Sequence, residues 1–467
     1  MKISFLGAIG EVTGSKFLLT TKKGQKILLD CGMYQGKGLE TDAMNRDLGF
    51  EPSEIDFLLL SHAHIDHSGL IPYLINNGFE GTVFCTPATR DLCSILLPDA
   101  GKIQEADTHT FNKKRSAQNL PPVEPIYTQK DAFLSLNSFV SIPYGKEFKF
   151  CDEVSLLFTD AGHVLGGAAV NLTVREEGEV IKRICYTGDV GRYNKRILKD
   201  PQAFPQADYL ITESTYGNRT HAPIENAEIE LLRIVKETCV VNRGKLIIPS
   251  FAIGRAQEMI YALDRLHNMH LLPEINVFVD SPLAISATDI FRLHTECFND
   301  EMLESLRNDP DPFGFDKLHY IRTIDASKHL NTLVKPCIII SASGMMEAGR
   351  VKHHIANNIE NKRTTILAVG YCSPNTLGAK ILRGDKSVSI FGRKYKVRAQ
   401  AKTLFSYSGH ADYLELTKFL ECQDFSKIKQ TFIVHGEDES RAFFKSHLES
   451  KGLQNVCMPE FREVVEL

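Results

Sequence analysis

The sequence predicts an α/β protein of two bodies, and three patterns point that way. Before residue 190, short apolar runs end in polar residues, as in Lys26-Ile27-Leu28-Leu29-Asp30, Phe57-Leu58-Leu59-Leu60-Ser61-His62 and Arg183-Ile184-Cys185-Tyr186-Thr187-Gly188-Asp189. Between Lys245 and Gly370, near-continuous apolar runs alternate with helix-like stretches, as expected of a parallel sheet covered on both faces. Close to the C-terminus, Lys429-Gln430-Thr431-Phe432-Ile433-Val434-His435 again ends a run with a histidine. If that histidine joins the early polar residues, the chain leaves the first body after Asp189 and later returns. The segment between is domain-sized and should fold as its own unit.

Taken in order, Met1 to Ala8 is a first strand, because its apolar run stops before Glu11 and is too brief for a signal peptide. Lys26 to Gly32 is a strand that delivers Asp30. The run from Phe57 enters Ser61-His62-Ala63-His64-Ile65-Asp66-His67 directly. In extended backbone, residues two apart point to one side, so His62 and His64 can grip one ion together. Asp66 and His67 follow once the chain has begun to turn into Gly69-Leu70-Ile71, and they diverge toward a second position. Imidazole and carboxylate donors without thiolate suit zinc best, with manganese or iron as alternatives. A lone loop histidine is ordinarily a solvated or capping residue, whereas this density of ligands behind a buried strand marks a metal site.

Four ligands cannot fill two metal shells, so others must arrive from elsewhere. His163, among the glycines of Ala161-Gly162-His163-Val164-Leu165-Gly166-Gly167, is one candidate, and Asp189 is another. Either alone could be a turn or capping residue. The candidate for the last ligand is His435, and a further histidine, His410 in Ser408-Gly409-His410-Ala411-Asp412, stands before it. In the intervening segment, Lys245 to Ser250 leads to Gly254-Arg255 and a helix-like Ala256 to Leu266. Pro336 to Ser341 leads through Ser343-Gly344 to Gly349-Arg350 and a helix-like Val351 to Ile359. Ser250, Arg255, Ser343, Gly344 and Arg350 are therefore candidate anion binders at strand ends and helix starts, although any α/β fold has glycine turns there.

The succession Asp30, His62-x-His64-x-Asp66-His67, His163, Asp189 resembles the signature of the metallo-β-lactamase fold superfamily. With the insert, Glu213 in Leu210-Ile211-Thr212-Glu213-Ser214 before it, and His410 and His435 after it, the whole chain resembles the β-CASP group of nucleases. Its branch is the one containing the endonuclease subunit of the cleavage and polyadenylation specificity factor and its bacterial and archaeal relatives. The resemblance implies an αββα sandwich with an inserted Rossmann-like parallel α/β β-CASP domain: residues 1–214 and 396–467 form the metallo-β-lactamase domain and 215–395 the insert. It implies that His62, His64 and His163 hold one Zn2+, that Asp66, His67 and His435 hold a second, that Asp189 bridges them, and that Asp30 orients a ligand histidine. It implies a zinc-dependent ribonuclease in which two cations polarise a phosphodiester and supply a bridging hydroxide. Asp66 is then catalytic as well as ligating, and His410, its ring fixed by Glu213, gives the leaving oxygen a proton. Members acting on DNA typically have an aliphatic residue at the last marker, so His435 favours single-stranded RNA.

Composition sets limits. At 467 residues and 43% apolar, the chain can bury large cores in two or three domains. A net charge of -4 gives no global attraction to nucleic acid. From Lys380 to Lys402, however, eight Lys or Arg, among them Arg393 and Lys394, face the single Asp385. That run is a candidate phosphate guide, although charge runs are commonly just solvated. Eleven cysteines without a Cys-x-x-Cys argue against a zinc ribbon or a disulfide framework and fit a reducing cytoplasm. No window reaches membrane-spanning length.

No accessory RNA-binding domain is expected outside the two bodies. Relatives that trim RNA from the 5′ end carry an additional C-terminal domain, so endonucleolytic cleavage is favoured. A small-molecule hydrolase on the same sandwich would not need the insert. A di-iron oxidoreductase would carry a glutamate for the second histidine and a flavin domain, and a non-catalytic scaffold should have lost ligands. A DNA nuclease of the same family is the main alternative, and the sequence leaves a homodimer open.

Overall fold

Ile3 and Phe5, Phe17 and Leu19, and Ile27 and Leu29 are fully buried at every second position, the period of a strand facing a core. Leu28, Leu58 and Val83, of the opposite parity, are buried too, so the sheet they form is covered on both faces. A computed structural model describes residues 1–36, 40–176, 180–221, 226–370, 372–373 and 375–467, and the chain divides into two units. One comprises Met1–Tyr193, Lys199–Thr220 and His410–Leu467; the other comprises Asn194–Leu198 and His221–Gly409.

Among the described residues, the first unit holds two seven-stranded sheets. One runs Val464–Glu466, Lys2–Phe5, Phe17–Thr20, Lys26–Leu29, Phe57–Leu59, Thr82–Cys85, Phe139–Ser141. The other runs Val456–Cys457, Gln430–Ile433, Tyr209–Thr212, Ile181–Tyr186, Ala168–Arg175, Val154–Asp160, Phe148–Lys149. Their facing sides share one core, in which Ile3, Phe17 and Leu59 meet Phe158, Tyr186 and Phe432. The far side of the second sheet packs Leu210 and Ile433 against Phe419 of the helix Tyr413–Leu420 and Phe444 of the helix Asp438–Ser450. On the other flank, the helices Ile71–Asn76, Pro87–Ser116 and Gln129–Ser135 pack together beside the first sheet, which makes an αββα sandwich.

Register lines up the strand ends that matter. Lys26–Leu29 and Phe57–Leu59 are parallel with Leu29 opposite Leu59, so Asp30 and the histidine loop emerge side by side. Ile181–Tyr186, Tyr209–Thr212 and Gln430–Ile433 are parallel neighbours, with Thr212 opposite Ile433. Asp189, Glu213 and His435 therefore follow the same edge of the second sheet.

The second unit has an all-parallel sheet in the order Leu318–Tyr320, Asn276–Val279, Cys337–Ser341, Lys245–Pro249, Thr365–Ala368, Gln400–Thr403. Helices Gly349–Asn358 and Leu377–Leu382 bury Val351, Ile355 and Ile381 against Ile247 and Ile366. A separate hairpin pairs Ser387–Ile390 with Arg393–Lys396. Among the described residues, no helix is long and apolar enough to cross a membrane.

Candidate metal centre

The histidine loop starts where the strand Phe57–Leu59 ends, and His64 stands at the N-cap of the short helix Ile65–Ser68. Two glycines permit the close packing around it. A Cβ on Gly32 would lie 1.6 Å from the Asp66 carbonyl oxygen, and Gly188, at φ 55°, approaches Ser61 so closely that its Cβ would come within 2.8 Å of the serine's.

Three groups of ligand atoms converge. His62, His64, His163 and Asp189 form one, Asp66, His67 and His435 a second, and Asp189 with Glu213 and His410 a third, and within each group the atoms lie within 4.8 Å of one another. In the first, His64 Nδ1 is 3.1 Å from His62 Nε2 and 3.2 Å from His163 Nε2, while Asp189 Oδ2 is 3.5 and 3.6 Å from the same two Nε2 atoms. Four donors at zinc-like bond lengths around one tetrahedral ion stand about 3.3–3.4 Å apart, so the spacing fits. Asp189 turns its other oxygen, Oδ1, to His67 Nε2 at 3.3 Å and to His435 Nδ1 at 3.5 Å. His435 Nε2 is 3.8 Å from Asp66 Oδ2.

The outer nitrogens of three ligand histidines rest on protein acceptors. Asp30 Oδ2 accepts from His67 Nδ1, from Ser61 Oγ and from Tyr186 Oη, each at 2.7 Å. Having given its proton to Asp30, Ser61 Oγ can accept from His62 Nδ1 at 3.0 Å. Thr215 Oγ1 meets His435 Nδ1 at 3.0 Å. With its outer nitrogen so engaged, each ring has Nε2 as the nitrogen left for a metal ion. His67 Nε2, His435 Nε2 and both Asp189 oxygens are buried without a hydrogen-bond partner among the described residues. Unpartnered buried atoms converging in this way ask for a cation.

Electrostatics agree. Burial, reinforced by neighbouring imidazoles, holds His62 and His163 well below their ordinary value, and burial brings His64 down to about 4; neutral imidazole is the ligating form. His67 differs: burial lowers it, but Asp189 and Asp30 on its two nitrogens outweigh burial and push it up. The same carboxylates favour any positive charge there, proton or metal ion. Burial opposes ionisation of Asp189 as well, yet His435, His67 and His410 hold it well below the usual carboxylate range.

In the third group, His410 Nδ1 lies 3.2 Å from both oxygens of Glu213 and 3.9 Å from Asp189 Oδ2. Glu213 is fully buried and also accepts from the backbone N–H of Val190 at 2.6 Å and of Thr215 at 3.3 Å. Burial would lower His410, but Glu213 and then Asp189 outweigh it and push the ring up to about 9.

The remaining sequence candidates lie in the second unit. Ser250 is buried at the end of Lys245–Pro249, and its Oγ has no hydrogen-bond partner among the described residues. Arg255 is buried in an ion pair with Glu258. Arg350 donates to Asp280 Oδ1 at 2.6 Å and to the carbonyls of Ile321 and Arg322. Ser343 and Gly344 follow Cys337–Ser341, where a Cβ on Gly344 would touch the Phe251 ring at 3.0 Å. Arg393 and Lys394 are exposed on the hairpin. Sequence reasoning passed over Tyr186 and Thr215, and took Ser61 only as one member of the histidine loop able to bind or position a metal. The usable hints were adjacency, Ser61 to His62 and Thr215 to the Glu213-Ser214 pair, whereas Tyr186 meets Asp30 only through folding.

Residues 10–87 match the metallo-β-lactamase superfamily, 256–381 the Beta-Casp domain, and 394–459 the Zn-dependent metallo-hydrolase RNA specificity domain. The chain is 34% identical to ribonuclease TTHA0252 of Thermus thermophilus, over the full length of both. It is 31% identical to transcription termination factor FttA of Methanocaldococcus jannaschii, covering 94% of this chain and 67% of the relative. Identity to cleavage and polyadenylation specificity factor 73 of Drosophila melanogaster is 29%, over 96% of this chain and 62% of the relative. A crystal structure of a protein of unknown function from Enterococcus faecalis shares the fold over 100% of this chain and 99% of its own, with a TM-score of 0.55 at 14% identity. The chain therefore belongs to the β-CASP ribonuclease family of the metallo-β-lactamase superfamily.

Proposed function

We propose that the protein is an endoribonuclease that hydrolyses phosphodiester bonds of single-stranded RNA in the cytoplasm, with two Zn2+ ions, or Mn2+ or Fe in their place, as cofactors. The observation that carries this reading is Asp189, whose two oxygens face separate groups of buried ligand atoms. His62, His64 and His163 would hold one ion, Asp66, His67 and His435 the other, and Asp189 both. Such a pair of cations, when bound, polarises the phosphodiester and supplies hydroxide at neutral pH. RNA as substrate is supported by the RNA specificity domain match and by the ribonuclease named among the relatives.

The chain's own residues do the rest. Asp30, Ser61 and Thr215 keep the outer nitrogens of the ligand rings engaged. Glu213 occupies His410 Nδ1, so Nε2 of that ring carries the proton available to the departing sugar oxygen. Replacing His410 with alanine should lower kcat about 10²- to 10⁴-fold with metal content unchanged. Wild-type turnover in that variant, with its metal in place, removes His410 from the chemistry. Metal analysis with matched single-stranded RNA and DNA, each labelled at the 5′ or 3′ end, tests the wider reading: preference for DNA selects the alternative nuclease, and mononucleotide release from one end selects an exonuclease. Sedimentation of the same sample would establish or exclude a homodimer.

A further inference from the structure

The hairpin of the second unit breaks a local rule. Ile390 pairs with Arg393, and the two residues between them, Phe391 and Gly392, have φ of 52° and 76°. That is the geometry of a type I′ turn, whose first position is ordinarily filled by Asn, Asp or Gly. A bulky aromatic in left-handed backbone is disfavoured, and such outliers point to function when the side chain is put to use. Here the ring is displayed. Phe391 is 53% exposed at the tip, with His353 of the helix Gly349–Asn358 stacked on it at 4.5 Å and 30°, and Lys352 Nζ 5.5 Å from its centroid.

Strand alternation sets what lies beside it. Val388, Ile390 and Tyr395 pack on the core, which turns Lys394 and Lys396 outward opposite Ser389 and Ser387. Small hydroxyl residues thus flank two exposed lysines on that face. Lys402 and Arg383 are ion-paired, to Glu237 at 2.6 Å and Asp385 at 2.9 Å. Arg393, Lys394 and Lys396 have no ion pair among the described residues. The nearby carboxylate of Glu360 accepts from the Lys396 backbone N–H at 3.0 Å.

We infer that this hairpin of the second unit is an RNA-holding site, where one unpaired base stacks on Phe391 and the flanking phosphates lie along Arg393, Lys394 and Lys396. An aromatic platform flanked by unneutralised cations is the arrangement that holds single strands without regard to sequence. The inference rests on the RNA reading above for its occupant, and a second protein copy is the competing one.

Phe391→Asn separates stability from binding, because asparagine suits the turn but offers no ring. Its thermal midpoint should equal or exceed that of the unaltered protein, while affinity for a fluorescein-labelled, unstructured 20-nucleotide RNA, read by anisotropy in EDTA, should fall about tenfold. Lys394→Ala with Lys396→Ala should flatten the dependence of log affinity on log salt by about 1.4, two phosphates at 0.7 each. Hydrolysis of bis(p-nitrophenyl) phosphate by the metal-loaded protein should be unchanged in both variants. Unchanged RNA affinity and salt slope would overturn the inference, and a changed sedimentation coefficient alongside them would assign the face to a second copy. Failure of the unaltered protein to hydrolyse bis(p-nitrophenyl) phosphate would count against the nuclease reading alone, since the anisotropy result does not depend on it.

Discussion

Both units bury a carboxylate at the end of a parallel strand, Asp189 among several histidines and Asp280 against one, and the two clusters are finished differently. Asp189 is buried with neither oxygen hydrogen-bonded among the described residues, and His67 and His435 aim unpartnered nitrogens at the same place. Asp280, equally buried, is fully satisfied. Its Oδ1 accepts from Arg350 at 2.6 Å, and its Oδ2 accepts from Ser327 at 2.5 Å and meets His354 Nε2 at 2.6 Å. The outer nitrogen of His354 is engaged too, by Asn331 at 2.9 Å. Leaving a buried polar atom unpaired costs about 1–3 kcal/mol, more if it is charged, so a fold tolerates several at one point only where a ligand completes them. The second cluster is complete without one and ties its elements together. Composition alone does not distinguish a binding site from a structural one; unmet hydrogen-bonding capacity does.

Asp189→Ala should give the largest effect and affects function alone. With the residue shared by both ligand groups gone, metal content should fall below one ion per chain and RNA cleavage by about 10⁴-fold or more. The thermal midpoint in chelator should hold or rise, because an unsatisfied carboxylate has been removed. A variant that keeps two tightly bound ions would break the contrast. Asp280→Ala should do the reverse. Stranding Arg350 and His354 should cost about 3–5 kcal/mol of stability, with metal content and turnover per folded molecule intact.

The pH dependence of that loss has a definite sign. Burial opposes ionisation of Asp280, but His354, Ser327 and Arg350 outweigh it and hold the group below its ordinary 3.8. Its contribution is therefore present above 3.8 and is lost as pH falls through the lowered folded value. Urea unfolding of the two proteins should accordingly converge in acid. A gap that widens there would mean that Asp280 is not the ionised partner.

How much of this could be read beforehand follows from the range of each interaction. His62, His64, Asp66 and His67 were legible because two-residue alternation and a strand end act within one loop. Asp30, Asp189 and His435 were legible as polar ends of apolar runs and His163 as a histidine among glycines, and the resemblance joined them. The parallel sheet of the insert showed in its unbroken apolar strands. What stayed hidden depends on long-range packing. Tyr186 reaches Asp30 across 156 positions and Thr215 reaches His435 across 220. Arg350 and Arg255 looked like anion binders because they follow glycines at helix starts, and no periodicity reveals that a guanidinium is already committed to Asp280 or Glu258. Phe391 was silent for the opposite reason: its meaning lies in a turn geometry that its residue type argues against.

Asp30 sharpens the comparison, because it belongs to the metal side yet is satisfied as completely as Asp280. Its Oδ1 accepts from the Ser61 backbone N–H at 2.7 Å and its Oδ2 takes three further donors. Asp30→Asn keeps the shape and removes one acceptor. With Oδ1 still bound to Ser61 N–H, the new amide would face donors, and His67 Nδ1 could engage it only by giving up its proton. The ring would then carry hydrogen on Nε2, the nitrogen turned toward Asp189. Metal affinity at the Asp66, His67 and His435 group should drop about 10- to 100-fold, while the His62, His64 and His163 group holds its ion. Titration against a chromophoric chelator should therefore resolve one tight and one weakened ion where the unaltered protein shows two tight ones. Equal weakening of both would mean that Asp30 supports the loop as a whole rather than the tautomer of one ring, and two unaltered sites would mean that the carboxylate, like Asp280, only holds the fold together.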